Sequence, residues 1–206
     1  QGVSSAASDV YKRQEQKLYF TLVSEFMLQQ TQVSTVIPYF KRFVQKIPNF
    51  KKLSKANDQT LMKLWEGLGY YSRARNLKKS AIMINGKFGG TLPSNIEDLK
   101  SLPGVGDYTS TAIMAIAFNQ KFIPLDGNVE RILKRVLYLR SEKAISKENM
   151  QISKNFFGLS ERASDYAQAI MELGALVCRP TSPLCEKCPI STVSYTHLRA
   201  HETRGN

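Results

Sequence analysis

The chain reads as an all-α protein, and three features of its sequence say so. Apolar residues recur three and four positions apart over long stretches, no stretch alternates apolar and polar as a half-buried strand would, and the interruptions are short clusters of Gly, Pro, Asn and Asp. With 206 residues and 42% hydrophobic content, the chain can bury the core of one large or two small domains.

Between Leu18 and Gln45, Leu22, Phe26, Val33 and Ile37 form one stripe and Phe20, Val23 and Met27 a second, which predicts buried helix; Pro38 predicts a break or a new start within it. Pro48 and Asn57-Asp58 punctuate the next segments, and Leu61, Leu64 and Leu68 form a stripe that stops at Gly69. Residues 73–88 predict a basic amphipathic helix closed by Gly89-Gly90, and Leu92-Pro93-Ser94 opens a short helix leading to Leu102. In Leu102-Pro103-Gly104-Val105-Gly106, Pro103 presets a turn and the glycines allow positive φ or a close approach to another chain. A helix is expected from near Asp107, and its uncapped N–H groups and dipole make hairpin plus helix start a seat for a phosphate. A tight turn between two helices would carry the same PGVG. Asp126 stands at the mouth of the next helix, GNVERILKRVL; a polar stretch near 140–148 and helices near 149–157 and 162–177 complete the chain. No internal repeat or low-complexity linker appears.

Charge narrows the partner. Lys and Arg number 29 against 17 acids, a formal +12, which points to a polyanion. Residues 1–14 (QGVSSAASDVYKRQ) and 193–206 (VSYTHLRAHETRGN) show no helical periodicity and resemble translated sequencing adapters, so they are set aside from fold reasoning. Each tail carries one net positive charge, so the basic excess belongs to the rest of the chain. Both histidines, His197 and His201, lie in the second tail and receive no role. No apolar run approaches a membrane span and no leader pattern opens the chain, so a soluble cytoplasmic protein is expected, with no membrane partner. The three cysteines, Cys178, Cys185 and Cys188, are too few and too local for a disulfide framework and suit a metal.

The hairpin LPGVG-x-Y-T with the Asp of DGNV eighteen residues after its Tyr resembles the helix-hairpin-helix superfamily of DNA glycosylases. SEFMLQQTQV (24–33), GLGYYSRARN (67–76) and AQAIMELGALVC (167–178) narrow the resemblance to the MutY family, adenine DNA glycosylases acting on adenine opposite 8-oxoguanine or guanine. The match runs in one consistent order over about residues 18 to 190. It implies a two-lobed fold, with a six-helix barrel carrying the hairpin over 15–120 and an iron–sulfur cluster domain over 121–192. It implies a monomer acting on double-stranded DNA, in a bacterial nucleoid-associated setting. In the family the cluster domain also uses the chain's first helix, and a C-terminal domain helps read 8-oxoguanine; both are expected to lie outside this sequence.

Cutting the bond from adenine N9 to the sugar calls for two carboxylates, one protonated to donate to the departing base and one ionised to stabilise the oxocarbenium ion. Glu25, flanked by Val23, Phe26, Met27 and Leu28, sits where desolvation would raise its pKa; Asp126, before a helix, sits where the dipole favours the anion. The resemblance makes Glu25 the general acid and Asp126 the cation stabiliser. Taken alone, Asp126 reads as a helix N-cap and Glu25 as a surface glutamate. Tyr108 stands where strand-cutting relatives carry a Schiff-base Lys; a phenol forms no imine, which implies a monofunctional enzyme with Tyr108 and Asn128 orienting the carboxylate or the water.

The target base must be flipped out and the gap filled. The resemblance makes Gln30 and Tyr70 the wedges, implies an adenine pocket that includes Leu28, Gln168 and Met171, and brings Leu102, Gly104, Val105, Gly106 and Thr109 to DNA. Arg73, Arg75, Lys78 and Lys79 are candidates for phosphates, with one or two of them merely solvated, and Tyr71 is expected in the core. The cysteine spacing C-x6-C-x2-C resembles the family's [4Fe-4S] motif, whose fourth Cys position is Ser194 here, so incomplete occupancy is expected; zinc could also use three thiolates. Two alternatives stay open: an endonuclease III-like glycosylase and lyase acting on oxidised pyrimidines, disfavoured by Tyr108 and LQQTQ, and a non-catalytic helix-hairpin-helix DNA-binding fragment.

Overall fold

The computed structural model describes residues 2–137 and 161–194 and divides into two compact units, residues 1–118 and 119–206. Among the described residues every regular element is helical and no strand occurs, as the apolar periodicity predicts.

Unit 1 is built on α1 (Gly2–Leu28). Leu18, Tyr19, Leu22, Val23, Phe26 and Met27 are all 4% exposed or less, so two adjacent rows of this helix are covered. Around it pack α2 (Val33–Lys46), α5 (Ser72–Lys87) and α7 (Asp107–Ile116). The shorter α3 (Phe50–Ser54) lies on α5, α4 (Asp58–Trp65) on α2, and α6 (Ile96–Ser101) on α7. Aromatic edges lock the contacts: Tyr19 meets Phe50 at 5.0 Å, Phe20 meets Phe40 at 5.5 Å and Phe43 meets Trp65 at 6.1 Å between centroids. The Tyr19 hydroxyl donates to the Ile47 carbonyl at 2.5 Å, which ties the end of α2 to α1. Short helices start on asparagine caps: Asn49, Asn57 and Asn95 accept from the backbone N–H of Lys52, Gln59 and Asp98, each worth about 1 kcal/mol.

Three expectations are corrected in unit 1. The chain breaks at residues 29–32 rather than at Pro38, which lies inside α2, where its missing N–H removes the bond to the Ser34 carbonyl. Because of that break, the stripe drawn through Val33 and Ile37 loses its phase; they are 62% and 47% exposed, and α2 buries Val36 and Phe43 instead. Residues 2–14, set aside for lack of periodicity, continue α1 as helix, since a Pro-free, Ala- and Ser-containing stretch propagates from a formed helix without needing a stripe of its own.

In unit 2, α8 (Gly127–Val136) packs on α9 (Ala163–Glu172) over Ile123, Val129, Ile132, Leu133, Ala163 and Ile170. Asn119 supplies what α9 lacks at its start: its Oδ1 accepts from Ser164 N at 2.9 Å and its Nδ2 donates to the Glu161 carbonyl at 2.8 Å. The helix expected over 162–177 widens after Glu172 into a π-helical turn, Leu173–Val177, that delivers Cys178. The expected polar stretch at 140–148 and the helix near 149–157 lie outside the described residues.

Candidate functional site

The hairpin of unit 1 is seated by contacts that glycine alone permits. Gly104 has φ 84°, and a Cβ there would lie 2.9 Å from Phe26 Cε1 and 3.0 Å from Asn76 Cβ. Gln29 Nε2 donates to the Gly104 carbonyl at 3.2 Å, and Ser80 Oγ donates to the Pro103 carbonyl at 2.9 Å. Leu102, Val105 and Thr109 are buried, so the hairpin presents backbone outward and those three side chains inward; the Thr109 hydroxyl faces Gln29 Nε2 at 3.5 Å. The side chains of these three are packing groups, which leaves the hairpin backbone as the surface on offer. Gly106 is the N-cap of α7 and offers no side chain to it, and Asp107 in the first turn is ion-paired to Lys100.

Arg73 is the clearest correction. Expected at phosphates, it is 6% exposed, and its guanidinium is spent on carbonyls. Nη1 donates to the carbonyls of Phe26 (3.2 Å), Met27 (2.7 Å) and Gln29 and to Thr31 Oγ1 (3.1 Å). Nη2 donates to the carbonyls of Leu68 (3.1 Å) and Gly69 (3.2 Å). Burial pulls its pKa below the ordinary guanidinium value, while the neighbouring Tyr70 pushes the other way. The sequence carried a signal for this: Arg73 falls in phase with the buried Leu77, Ser80, Ala81 and Ile84 of α5. Of its basic neighbours, Lys78 pairs with Asp58, whereas Arg75 and Lys79 are exposed. Tyr71, expected in the core, is 40% exposed because it precedes the first turn of α5, off that stripe. Gln30 and Tyr70 are both exposed, and both hold positive φ, 55° and 47°, rare for residues with a Cβ.

The two carboxylates occupy opposite environments. Glu25, in the last turns of α1 in unit 1, is 5% exposed and is flanked along the helix by the buried Val23, Phe26 and Met27. Asp126, in unit 2, caps α8: Oδ1 accepts from Val129 N at 2.7 Å and Oδ2 accepts from Asn128 Nδ2 at 3.3 Å. Asn128 passes the chain of bonds on, its Oδ1 accepting from Arg131 Nη2 at 2.8 Å. Arg131 also donates to the carbonyls of Gly174 (2.7 Å) and Cys178 (2.8 Å). Gly174 is required for this closeness, since a Cβ there would lie 2.7 Å from Asn128 Cβ and 3.0 Å from its carbonyl oxygen. Tyr108 is half-buried in the first turn of α7.

Cys178, Cys185, Cys188 and Ser194 line one cavity of about 260 Å³, and Ser194, assigned by sequence to a tail, is 3% exposed there. Arg135 Nη1 donates to Cys178 Sγ at 3.2 Å and to the Arg179 carbonyl at 2.9 Å. Among the described residues no three His, Cys, Asp or Glu side chains converge as one metal ion would need.

The residues expected at the adenine pocket fall in both units. Gln168 lies on the exposed face of α9 with its amide donating to Ser164, and Met171 packs on the unit 2 core; Leu28, half-buried, belongs to unit 1. Gln29, Arg131 and Arg135 were missed by sequence reading. Their roles depend on acceptors distant in the chain, and only the helical spacing of Asn128, Arg131 and Arg135 hinted that they share a face.

Residues 23–156 match the family described as HhH-GPD superfamily base excision DNA repair protein. The chain is 42% identical to an adenine DNA glycosylase of Rattus norvegicus over 197 residues, covering 92% of this chain and 37% of the relative. It is 38% identical to one of Buchnera aphidicola (strain Bp) over 186 residues, covering 87% and 51%. The chain thus spans between about a third and a half of such relatives. Among solved structures, a thermostable thymine-DNA glycosylase aligns with TM-score 0.81 and 26% identity over 89% of this chain and 86% of that one. A non-covalent endonuclease III–DNA complex aligns with TM-score 0.71 and 23% identity over 88% and 85%, which speaks to fold.

Proposed function

Because the chain belongs to the HhH-GPD superfamily of base excision DNA repair proteins, we propose that it is a monofunctional adenine DNA glycosylase, acting as a monomer on duplexes in which adenine faces 8-oxoguanine or guanine. The observation that carries this reading is the pair of carboxylates in contrasting positions, Glu25 buried and Asp126 accepting hydrogen bonds at a helix start. Burial is the condition under which a carboxyl keeps a proton to give, and a helix start is where a carboxylate stays charged. Glu25 protonates the departing adenine, Asp126 stabilises the positive sugar, and water completes the hydrolysis, with the proton it sheds passing to a carboxylate. Asn128 orients Asp126 through its 3.3 Å bond. Tyr108, with no amine, leaves the abasic strand uncut.

The hairpin backbone and the start of α7 receive a phosphate, Arg75 a second, and Gln30 and Tyr70 fill the gap left by the flipped base. Cys178, Cys185 and Cys188 would hold a [4Fe-4S] cluster, which would tie together the loop that carries them.

Glu25→Gln tests the assignment. The amide keeps the shape of the acid but has no proton to donate, so single-turnover excision is expected to fall by about a thousandfold or more while duplex affinity stays within about threefold. Near-parental excision by the variant would remove Glu25 as the acid.

A further inference from the structure

We propose that Arg73 is a positioning residue that sets the two base-displacing residues, Gln30 and Tyr70, against each other, one arm of its guanidinium serving each loop. The proposal rests on the reading of Gln30 and Tyr70 as wedges. The division of labour is complete: every described bond of Nη1 goes to residues 26–31, and every described bond of Nη2 goes to residues 68–69. Two of the acceptors are the carbonyls just before the wedges. The Gln29 oxygen shares a rigid peptide plane with the Gln30 nitrogen, and the Gly69 oxygen shares one with the Tyr70 nitrogen. Fixing each plane restricts the φ of the residue that follows, and those two residues hold φ 55° and 47°.

Stacking adds to the clamp. The guanidinium carbon lies 5.4 Å from the Tyr70 ring centre and 5.6 Å from that of Trp65, whose Nε1 also donates to the Gly69 carbonyl at 3.1 Å. The same end of α1 reaches the hairpin, because Gln29 Nε2 donates to the Gly104 carbonyl. Arg73 thereby connects the two wedge loops directly and the hairpin at one remove.

An arginine retained only to fill space would be an odd choice here. No carboxylate pairs with Arg73 among the described residues, and its buried Nε has no partner. What the position uses is a planar cation with two separate donor arms, which lysine lacks: an ammonium is one point with three donors and no flat face to stack.

The test compares Arg73→Lys with the parent by amide hydrogen exchange and by fluorescence of a duplex carrying 2-aminopurine as the base to be displaced. In Arg73→Lys, exchange is expected to quicken at least tenfold in both 28–31 and 68–71, with the rest of α1 and α5 unchanged. Base displacement should fall at least tenfold, while affinity for undamaged duplex stays within threefold. Gln30→Ala and Tyr70→Ala, measured alongside, should each impair displacement without quickening exchange in the other loop. Thr31→Val, which removes one Nη1 acceptor together with the hydroxyl's own bond to the Gln29 carbonyl and leaves Arg73 in place, should quicken exchange in 28–31 alone and serves if Arg73→Lys does not fold. Exchange unchanged in Arg73→Lys, or quickened in one loop only, would overturn the clamp. Quickened exchange in both loops with normal displacement by Gln30→Ala and Tyr70→Ala would instead overturn the wedge reading on which the proposal rests.

Discussion

Sequestered arginines serve the two units in different ways. Arg73 in unit 1 is enclosed and, apart from Thr31 Oγ1, donates to backbone carbonyls, so its charge fixes the shape of loops. Arg131 and Arg135 in unit 2 are half-buried and reach groups with chemistry of their own, Arg131 touching Asp126 through Asn128 and Arg135 the sulfur of Cys178. The cores differ in the same sense. Unit 1 buries Trp65, Tyr19, Phe26 and Phe43 below 2% exposure, whereas among the described residues of unit 2 the buried core is Ile, Val, Leu and Ala beside a thiol-lined cavity. Apart from Glu25, the proposed acid, damage to the loops of unit 1 should therefore appear as lost geometry on DNA, and damage around Arg131 and Arg135 in unit 2 as lost chemistry or lost metal.

One substitution made in both units puts that contrast at risk. Gly174→Ala forces a methyl against Asn128, at a cost of about 1–3 kcal/mol, and displaces the residue that steadies Asp126. Excision should fall about a hundredfold with affinity for undamaged duplex little changed. Gly104→Ala strains a positive φ and meets Phe26 and Asn76; it should cost about 2 kcal/mol and weaken duplex binding together with excision. Equal losses of affinity in the two variants, read by titration and thermal melts, would erase the distinction.

Ser194→Cys gives a smaller effect, on metal alone. A fourth thiol lining the same cavity should raise iron and sulfide per chain in anaerobically reconstituted protein and slow their loss in air. Stable, stoichiometric iron in the unsubstituted chain would show that Ser194 already suffices. The smallest effect belongs to Tyr19. Burial pushes its phenol well above the ordinary tyrosine range, so the phenol's contribution to stability is fully present below about pH 10 and declines as pH rises beyond it. Tyr19→Phe should cost about 1 kcal/mol at neutral pH by leaving the Ile47 carbonyl without its donor, and should flatten the alkaline decline of the unit 1 melt. An unchanged slope would assign the decline to another group.

What sequence reading reached was governed by locality. The end of α5 at Gly89-Gly90, the start of α7 at Asp107 and the cap at Asp126 follow from a few adjacent residues, and the structure has each of them. Val33 and Ile37 were misjudged because a periodic stripe has meaning only within one unbroken helix, and the turn at 29–32 carries neither Gly nor Pro to announce itself. Arg73 was misjudged because composition sees a basic run, whereas burial follows helical phase. The bonds of Arg131 and Gln29 join residues more than forty positions apart, which no spacing rule detects.

Product analysis under single turnover tests the central claim most directly, with duplexes carrying adenine opposite 8-oxoguanine or guanine and each reaction split for alkali and no-alkali workup. Release of free adenine is expected from both duplexes, with strand breaks only after alkali, because Tyr108 offers no amine to open the sugar. Breaks without alkali, or release of oxidised pyrimidines in preference to adenine, would contradict it.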